Sequence, residues 1–426
     1  MDPRILILNS HSALNAGEGA IVLAEIGRVR SLWPACRITM TSRTPEVDRR
    51  IYADLDVEVI SPLTPAPVAF SGFRAKITGT VAEALDWRPK RNFFRALRDA
   101  DIVLATSGGL LYSNRRFFSG LTFYQSLWQI TAAQNAGKPV VFLPQSFGPF
   151  LNRRAARSCG RRLEHPRTRA IFAREDVSAA VLRDLLRGTP AEEMIAICPD
   201  IVLSLNPPVS RNPRPEIAAL EALPHPRLAV IIRPWEFPEI RGTLARSAAQ
   251  SGYLETMAEE AVDFAHRRDG SILVVPFVRG PSDEDSDVRI SEEFFARIQD
   301  RVPEGRRRLL CLPDDASSFD FLDLFRRVEV TLAVRLHAAL LSLLAGTAAV
   351  AVAYQPKSIG TMDFMGLSPF CLEIFGLSGP ALRTALSRAA EGIGFEHVPS
   401  RLRELRAEIE SKIERALTAA WPETDR

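Results

Sequence analysis

The chain has 426 residues, a formal net charge of +3, and 46% hydrophobic and 25% charged side chains. This composition is ordinary for a globular protein with substantial cores, and the length predicts two or three domains. The small net charge gives no indication of a nucleic-acid partner.

Nothing in the sequence is typical of a secreted or membrane-spanning protein. The apolar stretch Ile5–Leu8 is too short for a signal-peptide core, and no run approaches the roughly 20 apolar residues of a membrane span. The cysteines are odd in number and form no CxxC pair, which predicts a reduced, cytoplasmic enzyme without a cysteine-based metal site. Peripheral attachment to the inner membrane surface through arginine-rich faces stays open. The cysteines are Cys36, Cys159, Cys198, Cys311 and Cys371.

In the first half of the chain, short apolar runs alternate with helical patterns, which predicts a parallel, doubly wound sheet. The segment Pro62–Pro89 fits either a helix-containing insertion or a loop. Predicted strands are Ile5–Leu8, Arg37–Thr41, Val57–Ile60, Ile102–Thr106, Val140–Leu143, Ala170–Ala173 and Ile195–Cys198, with helices over 18–32, 120–136, 151–163 and 176–187.

A proline-rich segment, Asn206–Pro226, interrupts this pattern and is interpreted as a linker, because proline sustains neither sheet pairing nor a long helix. The alternation then restarts. Predicted strands are Leu228–Ile232, Ile272–Pro276, Arg308–Cys311, Val328–Ala333 and Ala348–Ala353, with helices over 252–268, 286–300, 318–326, 336–345 and 381–390 and a charged amphipathic helix over 400–420.

These elements predict an α/β fold of two Rossmann-like doubly wound domains facing across a cleft, the layout of the GT-B fold. The predicted N-terminal domain covers residues 1–205 and the linker residues 206–226. The predicted C-terminal domain covers residues 227–395, and a helical tail over 396–426 is expected to pack back on the N-terminal domain.

A glycine-bearing loop follows the first strand, in NAGEGAI at Asn15–Ile21. Gly17 and Gly19 allow a ligand to approach the backbone, and the helix that begins here offers N–H groups. A dinucleotide fingerprint would need glycine where Val22 stands, so NAD is not expected. The alternative interpretation is an ordinary turn with Asn15 as the helix cap.

Two further strand ends in the first half carry glycine or polar residues. A Gly–Gly pair in TSGGLLYSN, Thr106–Asn114, indicates close approach of either a ligand or another backbone. After the next strand, the Gln145 amide and the Ser146 hydroxyl can hydrogen-bond a sugar hydroxyl or a phosphate oxygen, or they can stabilise a turn. The candidate residues are Ser107, Gly108, Gly109, Gln145 and Ser146.

Arg174 stands at another strand end, in FAREDVSAAVL. It can bind substrate, or it can pair locally with Glu175 or Asp176. Asp176 is best explained as a first-turn acid that complements the helix dipole. Asp200, just before the linker, predicts a salt bridge or a turn as readily as a ligand contact.

The segment 328–366 in the second half carries the strongest indication of function. A strand ends in Arg335 and His337 before a helix, and the next strand is followed by Lys357; earlier in the chain, Arg233 follows the apolar run LAVII. In open α/β sheets, ligands bind at the carboxyl ends of the strands, where helix N-termini also favour anions. Arginines, a lysine and a titratable imidazole there predict an anionic substrate and a proton transfer.

Each of these residues also has a structural alternative. Arg233 can form an ion pair with Glu236 or Glu239, and a histidine at a helix start is often structural. Trp235 fits either a stacking wall for a sugar or core packing.

Other clusters are discounted. The acidic segment Pro281–Ile290 resembles the start of a calcium loop but has Val288 where that loop needs glycine, so we interpret it as the acidic start of a helix. The histidines show no metal-binding spacing. The sequence has no GxSxG elbow and no Walker motif, which argues against an α/β-hydrolase or a P-loop kinase.

Taken in order, the motifs resemble the polysaccharide pyruvyltransferase family over about Asn15 to Gly366. The resemblance implies transfer of a pyruvyl group from phosphoenolpyruvate to two hydroxyls of a sugar, as a cyclic ketal, with release of phosphate. It places donor-binding arginines on Arg233 and Arg335 and the acid/base on His337. The segments that carry it are NAGEGAI, SGGLLYSN, PQSFGP, AREDVSAAVL, CPDIVLSL, IIRPW, VRLHAALLSLLAGTAAVAVAYQPK and DFMGL.

The first-domain motifs depart from the family pattern. Gly17-Glu18-Gly19-Ala20 stands where the family commonly has GDEA, and Ser107 replaces the first of three glycines, with Asn114 downstream. Because that domain is expected to hold the acceptor, these departures bear on the acceptor's identity more than on the donor's.

The predicted roles follow from this chemistry. His337 transfers the proton, Arg233 and Arg335 clamp the anion, and Lys357 is an auxiliary cation. The acceptor is a sugar or a nucleotide- or lipid-linked glycan, and neither a metal nor a tightly bound cofactor is expected. Candidate substrate-binding residues are Asn15, Gly17, Ser107, Gly108, Gly109, Gln145, Ser146, Arg174, Leu336 and Lys357.

Three alternatives stay open. A GT-B glycosyltransferase that uses a nucleotide sugar would share the fold and a basic donor site. A non-catalytic sugar- or anion-binding protein is a second alternative, and a small-metabolite acceptor is a third. The sequence does not give the ketal positions or the oligomeric state.

Overall fold

The structure, a computed structural model, describes residues 2–63, 87–113, 121–206, 213–282 and 285–421. The chain divides into two units. Unit 1 comprises residues 1–13, 18–205 and 405–426, and unit 2 comprises residues 14–17 and 206–404. The Pro62–Pro89 segment and Asn114, both considered in the sequence analysis, lie largely outside the described residues.

Unit 1 contains a parallel sheet in the order β3-β2-β1-β4-β6-β7-β8, with β5 paired to β6. Its strands are β1 Arg4–Ser10, β2 Arg37–Ser42, β3 Val57–Ile60, β4 Ile102–Ala105, β5 Gly108–Ser113, β6 Val140–Phe150, β7 Thr168–Ala173 and β8 Ile195–Ile197. Its helices are α1 Ala16–Leu32, α2 Pro45–Ile51, α3 Trp87–Asp99, α4 Leu121–Asn135, α5 Arg153–Leu163 and α6 Asp176–Leu185.

Unit 2 contains a second parallel sheet, in the order β11-β10-β9-β12-β13-β14. Its strands are β9 Arg227–Ile231, β10 Ser271–Val274, β11 Arg307–Leu309, β12 Val330–Ala333, β13 Ala348–Ala353 and β14 Cys371–Glu373. The helices that follow α6 are α7 Pro215–Ala218, α8 Thr243–Arg268, α9 Val288–Ile298, α10 Ser318–Phe325, α11 Leu336–Leu344, α12 Pro356–Phe364, α13 Gly379–Ala390 and α14 Val398–Ala420.

The two doubly wound parallel sheets confirm the predicted fold class. Every residue of β9, β10 and β12 is buried, as expected for central strands covered on both faces. Such strands read as continuous apolar runs rather than as alternating patterns, which is why the sequence located them to within a few residues. Among the described residues, no helix has both the length and the apolar character needed to cross a membrane.

The sequence prediction missed strand β5 and ended the strand at Val140–Leu143 too early. The Gly108–Gly109 pair begins β5, and the strand predicted over Val140–Leu143 continues to Phe150. Residues of β5 and β6 pair in parallel across this extension, with Gly108 opposite Gln145. Glycine and proline are unusual inside strands, so the sequence of this segment did not predict β5 or the extension of β6.

Helix α8 begins nine residues earlier than the predicted 252–268 helix. Its first turns are largely exposed to solvent, so they carry no apolar stripe that a sequence pattern can detect. The short strand β14 and helices α2 and α3 were not predicted.

The second part of α14 contacts elements of unit 1. Lys412 donates to the carbonyl of Ile197 at 2.6 Å, and Arg406 donates to the carbonyl of Leu205 at 3.0 Å. Just beyond the helix, the Trp421 ring lies edge-on to Trp33, with centroids 5.7 Å apart. Both polar contacts bring a C-terminal cation to a carbonyl near the end of the N-terminal half.

Candidate functional site

In unit 2, the predicted cations lie just beyond three adjacent strands. Arg233 follows β9, Arg335 follows β12 and Lys357 follows β13, and the three strands are neighbours in the sheet. Because all three run parallel, with Ala333 opposite both Ile231 and Ala351, their carboxyl ends meet at one edge. This is the edge where an open α/β sheet binds ligands.

The guanidinium of Arg233 is held by aromatic rings. It lies 4.3 Å from the ring centroid of Tyr354 and 5.5 Å from that of Trp235, and the two rings are 4.6 Å apart. Its Nε donates to the carbonyl of Pro234 at 3.3 Å. Its contacts among the described residues are with these rings and this carbonyl, so the alternative pairing with Glu236 or Glu239 is not observed. Burial, and to a smaller extent the nearby Arg335, lowers the pKa of Arg233.

Arg335 is oriented by a buried carboxylate. Its Nε donates to Asp287 Oδ2 at 3.1 Å and its Nη2 to Oδ1 at 2.5 Å, a bidentate pair. Asp287 is fully buried, and its Oδ2 also accepts the backbone N–H of Val278 at 3.0 Å. Burial acts to lower the pKa of Arg335, but the Asp287 carboxylate outweighs it and raises that pKa. These bonds occupy Nε and Nη2, on one side of the guanidinium.

Asp287 was missed as a functional residue, because the acidic segment was interpreted only as the start of a helix. It does stand directly before α9, at the N-cap position. Its side chain, however, points at an arginine 48 positions away. The sequence offers one signal for Asp287, an aspartate directly before a helix. That signal does not identify Arg335 as its partner.

Tyr354 lies between β13 and α12 and is half-buried. Burial acts to raise its pKa, but the positive charges of Lys357, Arg233 and Arg335 outweigh it and lower the pKa to about 8. Tyr354 was not among the site residues predicted from the sequence. The shift identifies a concentration of positive charge at this edge.

His337, in the first turn of α11, lies against the glycine loop. A Cβ built on Gly17 would stand 2.5 Å from His337 Nδ1, so only glycine fits there beside the imidazole in this position. Leu336, the residue before the histidine, is buried.

The residues Leu14–Gly17 belong to unit 2, whereas the sequence analysis placed Asn15 and Gly17 in the N-terminal domain. The reason is a set of backbone bonds: Ala16 N–H donates to the carbonyl of Phe277, and Arg279 N–H donates to the carbonyl of Leu14. Asn15 Oδ1 accepts the N–H of Gly17 at 3.1 Å, which is the predicted capping role.

The remaining predicted site residues lie in unit 1. The backbone N–H of Ser107 donates to Glu25 at 2.7 Å, and Thr106 Oγ1 donates to the same carboxylate at 2.9 Å. Burial raises the pKa of Glu25 to about 7, against these hydrogen bonds. Gly108 adopts a φ of +111°, and a Cβ there would lie 3.5 Å from Glu18 Oε2.

Arg174 and Ser146 belong to a buried polar network in unit 1. Arg174 Nη1 donates to Asp200 Oδ2 at 2.6 Å, and Nη2 donates to Ser146 Oγ at 2.7 Å. Glu175 lies 3.5 Å from Arg174 Nε. Arg174 is 1% exposed, so the arrangement accounts for it as an internal ion pair, and a role in binding substrate stays a prediction.

The site residues predicted from sequence therefore form two sets. One lies in unit 2, around Arg233, Arg335, His337 and Lys357, with Asn15 and Gly17. The other lies in unit 1. It comprises Ser107, Gly108, Gly109, Gln145, Ser146 and Arg174.

Several solved structures resemble the chain over almost its whole length. A candidate UDP-N-acetylglucosamine 2-epimerase from Listeria monocytogenes has 12% identity and a TM-score of 0.59, covering 100% of this chain and 98% of that one. UDP-GlcNAc 2-epimerase from Neisseria meningitidis, bound to UDP-GlcNAc, has 9% identity and a TM-score of 0.56, covering 97% and 99%. Anabaena HepE, in complex with UDP and glucose, has 13% identity and a TM-score of 0.52, covering 99% and 98%.

At these identities the likeness shows the fold alone, which is of the GT-B type with two Rossmann-like units. No curated protein matches the chain. The family model of the polysaccharide pyruvyl transferases matches residues 15–356.

Proposed function

Since this chain belongs to the polysaccharide pyruvyl transferase family, we propose that it moves a pyruvyl group from phosphoenolpyruvate to hydroxyls of a sugar. The acceptor is a glycan precursor, free or linked to a nucleotide or lipid, and the products are a cyclic ketal and phosphate. The reaction serves the biosynthesis of a polysaccharide or a cell-surface glycan in the cytoplasm.

The observation that carries this proposal is the set of cations at one sheet edge of unit 2. Arg233, Arg335 and Lys357 follow three neighbouring parallel strands. Phosphoenolpyruvate has a phosphate and a carboxylate on a three-carbon frame, so it needs several donors at short spacing. Planar guanidinium groups match both anions, and a half-buried site strengthens the attraction.

The proposed chemistry begins with a proton from the His337 imidazolium to the methylene carbon of the donor. The adjacent carbon becomes oxocarbenium-like, and an acceptor hydroxyl adds to it and loses its proton. The bond from that carbon to the phosphate oxygen then breaks, and a second hydroxyl closes the ketal. Of the two hydroxyl protons released, one balances the proton given up by His337 and the other leaves on phosphate.

Two features of unit 2 suit the proposed roles. The bidentate Asp287 pair holds the Arg335 guanidinium before the anion arrives, so less side-chain entropy is lost on binding. The Gly17 backbone limits where the His337 ring can lie. Preorganised charge of this kind stabilises the departing phosphate.

The test incubates the purified protein with phosphoenolpyruvate and a panel of sugars, nucleotide sugars and lipid-linked sugars. We expect phosphate release that depends on one acceptor class, together with an acceptor mass increased by one pyruvyl ketal. The same panel is run with nucleotide-sugar donors and without phosphoenolpyruvate.

The outcomes separate the alternatives. Release of a nucleoside diphosphate, without phosphate release from phosphoenolpyruvate, would identify a glycosyltransferase instead. Saturable binding of phosphoenolpyruvate with no turnover on any acceptor would identify a binding protein. If a pyruvylated product forms only with a small metabolite, the proposed reaction stands and the proposed glycan acceptor is wrong.

A further inference from the structure

Tyr354 lies against the Arg233 guanidinium, feels the charges of Arg335 and Lys357, and has no role in the mechanism described so far. It follows β13 directly and precedes Lys357 by three residues. Its ring contacts the Arg233 guanidinium at 4.3 Å, and the Trp235 ring lies 4.6 Å away on centroids. A phenol placed among cations offers what the guanidinium groups lack, a hydroxyl that both accepts and donates.

The charged and titratable groups around this phenol come from several elements. Arg233 follows β9, Arg335 precedes α11 and Lys357 lies in α12, and all three attract the phenolate form. Asp287, before α9, neutralises part of the Arg335 charge. Tyr253 of α8 donates its hydroxyl to the carbonyl of Arg233, so that phenol is already bonded to the backbone.

We propose that Tyr354 is a further anion-binding residue of the donor site: its ring holds Arg233, and its hydroxyl proton is donated to the bound donor. This inference rests on the proposed function, because phosphoenolpyruvate is the anion. In the unliganded protein above about pH 8, the same hydroxyl is mostly ionised, and the phenolate becomes the internal partner of the cations.

A dependence on pH follows from this arrangement. Ionisation of Tyr354 removes the donated proton and adds a negative charge to the site, so only the protonated form binds the donor well. With a pKa of about 8, Tyr354 is ionised in roughly nine-tenths of the unliganded molecules at pH 9. Because these molecules bind the donor poorly, the apparent affinity for phosphoenolpyruvate is about tenfold weaker at pH 9 than at pH 7. A bound anion restores the proton, because it neutralises the cations that favour phenolate.

The test measures phosphoenolpyruvate binding by calorimetry at pH 7 and pH 9 for the wild-type chain, Tyr354→Phe and Tyr354→Leu. Phenylalanine keeps a ring against Arg233 but has no hydroxyl, so we expect binding weakened roughly tenfold at pH 7 and little further loss at pH 9. Leucine removes the ring as well and should bind more weakly still. Tyr124→Phe, a half-buried tyrosine of α4 in unit 1, is the matched control and should leave both values unchanged.

Ultraviolet difference spectra supply a readout that a merely structural tyrosine would not change. The wild-type spectrum minus that of Tyr354→Phe should show tyrosinate forming near pH 8, and phosphoenolpyruvate should move that titration upward. Two results would overturn the assignment of Tyr354 but leave the proposed function intact. One is that Tyr354→Phe binds phosphoenolpyruvate as tightly as the wild-type protein, and the other is that the affinity of both proteins changes equally between pH 7 and pH 9. A wild-type protein that binds no phosphoenolpyruvate overturns the proposed function, and this inference with it.

Discussion

Glu25→Gln tests the electrostatics of unit 1 most directly. The Glu25 side chain is 1% exposed, and its carboxylate accepts the Ser107 N–H and the Thr106 hydroxyl. Burial raises the pKa of Glu25 from 4.5 to about 7, and the nearby Glu18 adds to the effect. The unfolded chain therefore releases this proton at lower pH than the folded protein does.

The sign and the magnitude follow from linkage. A carboxyl whose pKa is raised on folding imposes no penalty below about pH 4.5, and the penalty grows until the pH exceeds about 7. At about 1.4 kcal/mol per pH unit, the full penalty is about 3 kcal/mol. Glutamine does not ionise. Its amide can accept from Ser107 and donate to Thr106, so it retains both contacts.

The assay is urea unfolding followed by tryptophan fluorescence at pH 4.5 and pH 8. We expect Glu25→Gln and the wild-type protein to unfold at similar urea concentrations at pH 4.5, and the variant to be about 3 kcal/mol more stable at pH 8. Glu414→Gln, exposed on α14, is the control and should show no such divergence. Asp48, whose pKa burial raises to about 6, titrates in all three proteins and cancels in the comparison.

A variant that is destabilised equally at both pH values would refute this reasoning. It would mean that the hydrogen bonds from Ser107 and Thr106, rather than burial, dominate the energy of the Glu25 carboxylate.

The remaining predictions concern unit 2. His337→Gln should lower kcat about 10²–10⁴-fold with an unchanged melting temperature, and near-normal turnover would remove His337 from the mechanism. Asp287→Asn should lower the unfolding free energy by about 3 kcal/mol and raise KM for phosphoenolpyruvate, because Arg335 loses its charged partner; unchanged KM would contradict the positioning role. Gly17→Ala should lower turnover by displacing His337, whereas Gly27→Ala, with nothing within 4 Å of its added Cβ, should not.

Much of the fold could be predicted from the sequence, because buried parallel strands read as apolar runs. β12 and β13 are such runs, and each is followed within a few residues by a cation and the start of a helix. From that local pattern, the positions of Arg335, His337 and Lys357 at a strand end follow without knowledge of the tertiary structure. Strand β5 could not be predicted, since its pairing depends on a distant part of β6.

By itself, therefore, the sequence determined which residues stand at strand ends, because a strand end depends on a few consecutive side chains. Only the tertiary structure decided which of these residues meet. It paired Arg335 with Asp287, stacked Arg233 on Tyr354 and brought Gly17 to His337. The physical reason is that such contacts join segments 48 to 320 positions apart in the chain, and their geometry is set by sheet order and packing rather than by neighbouring residues.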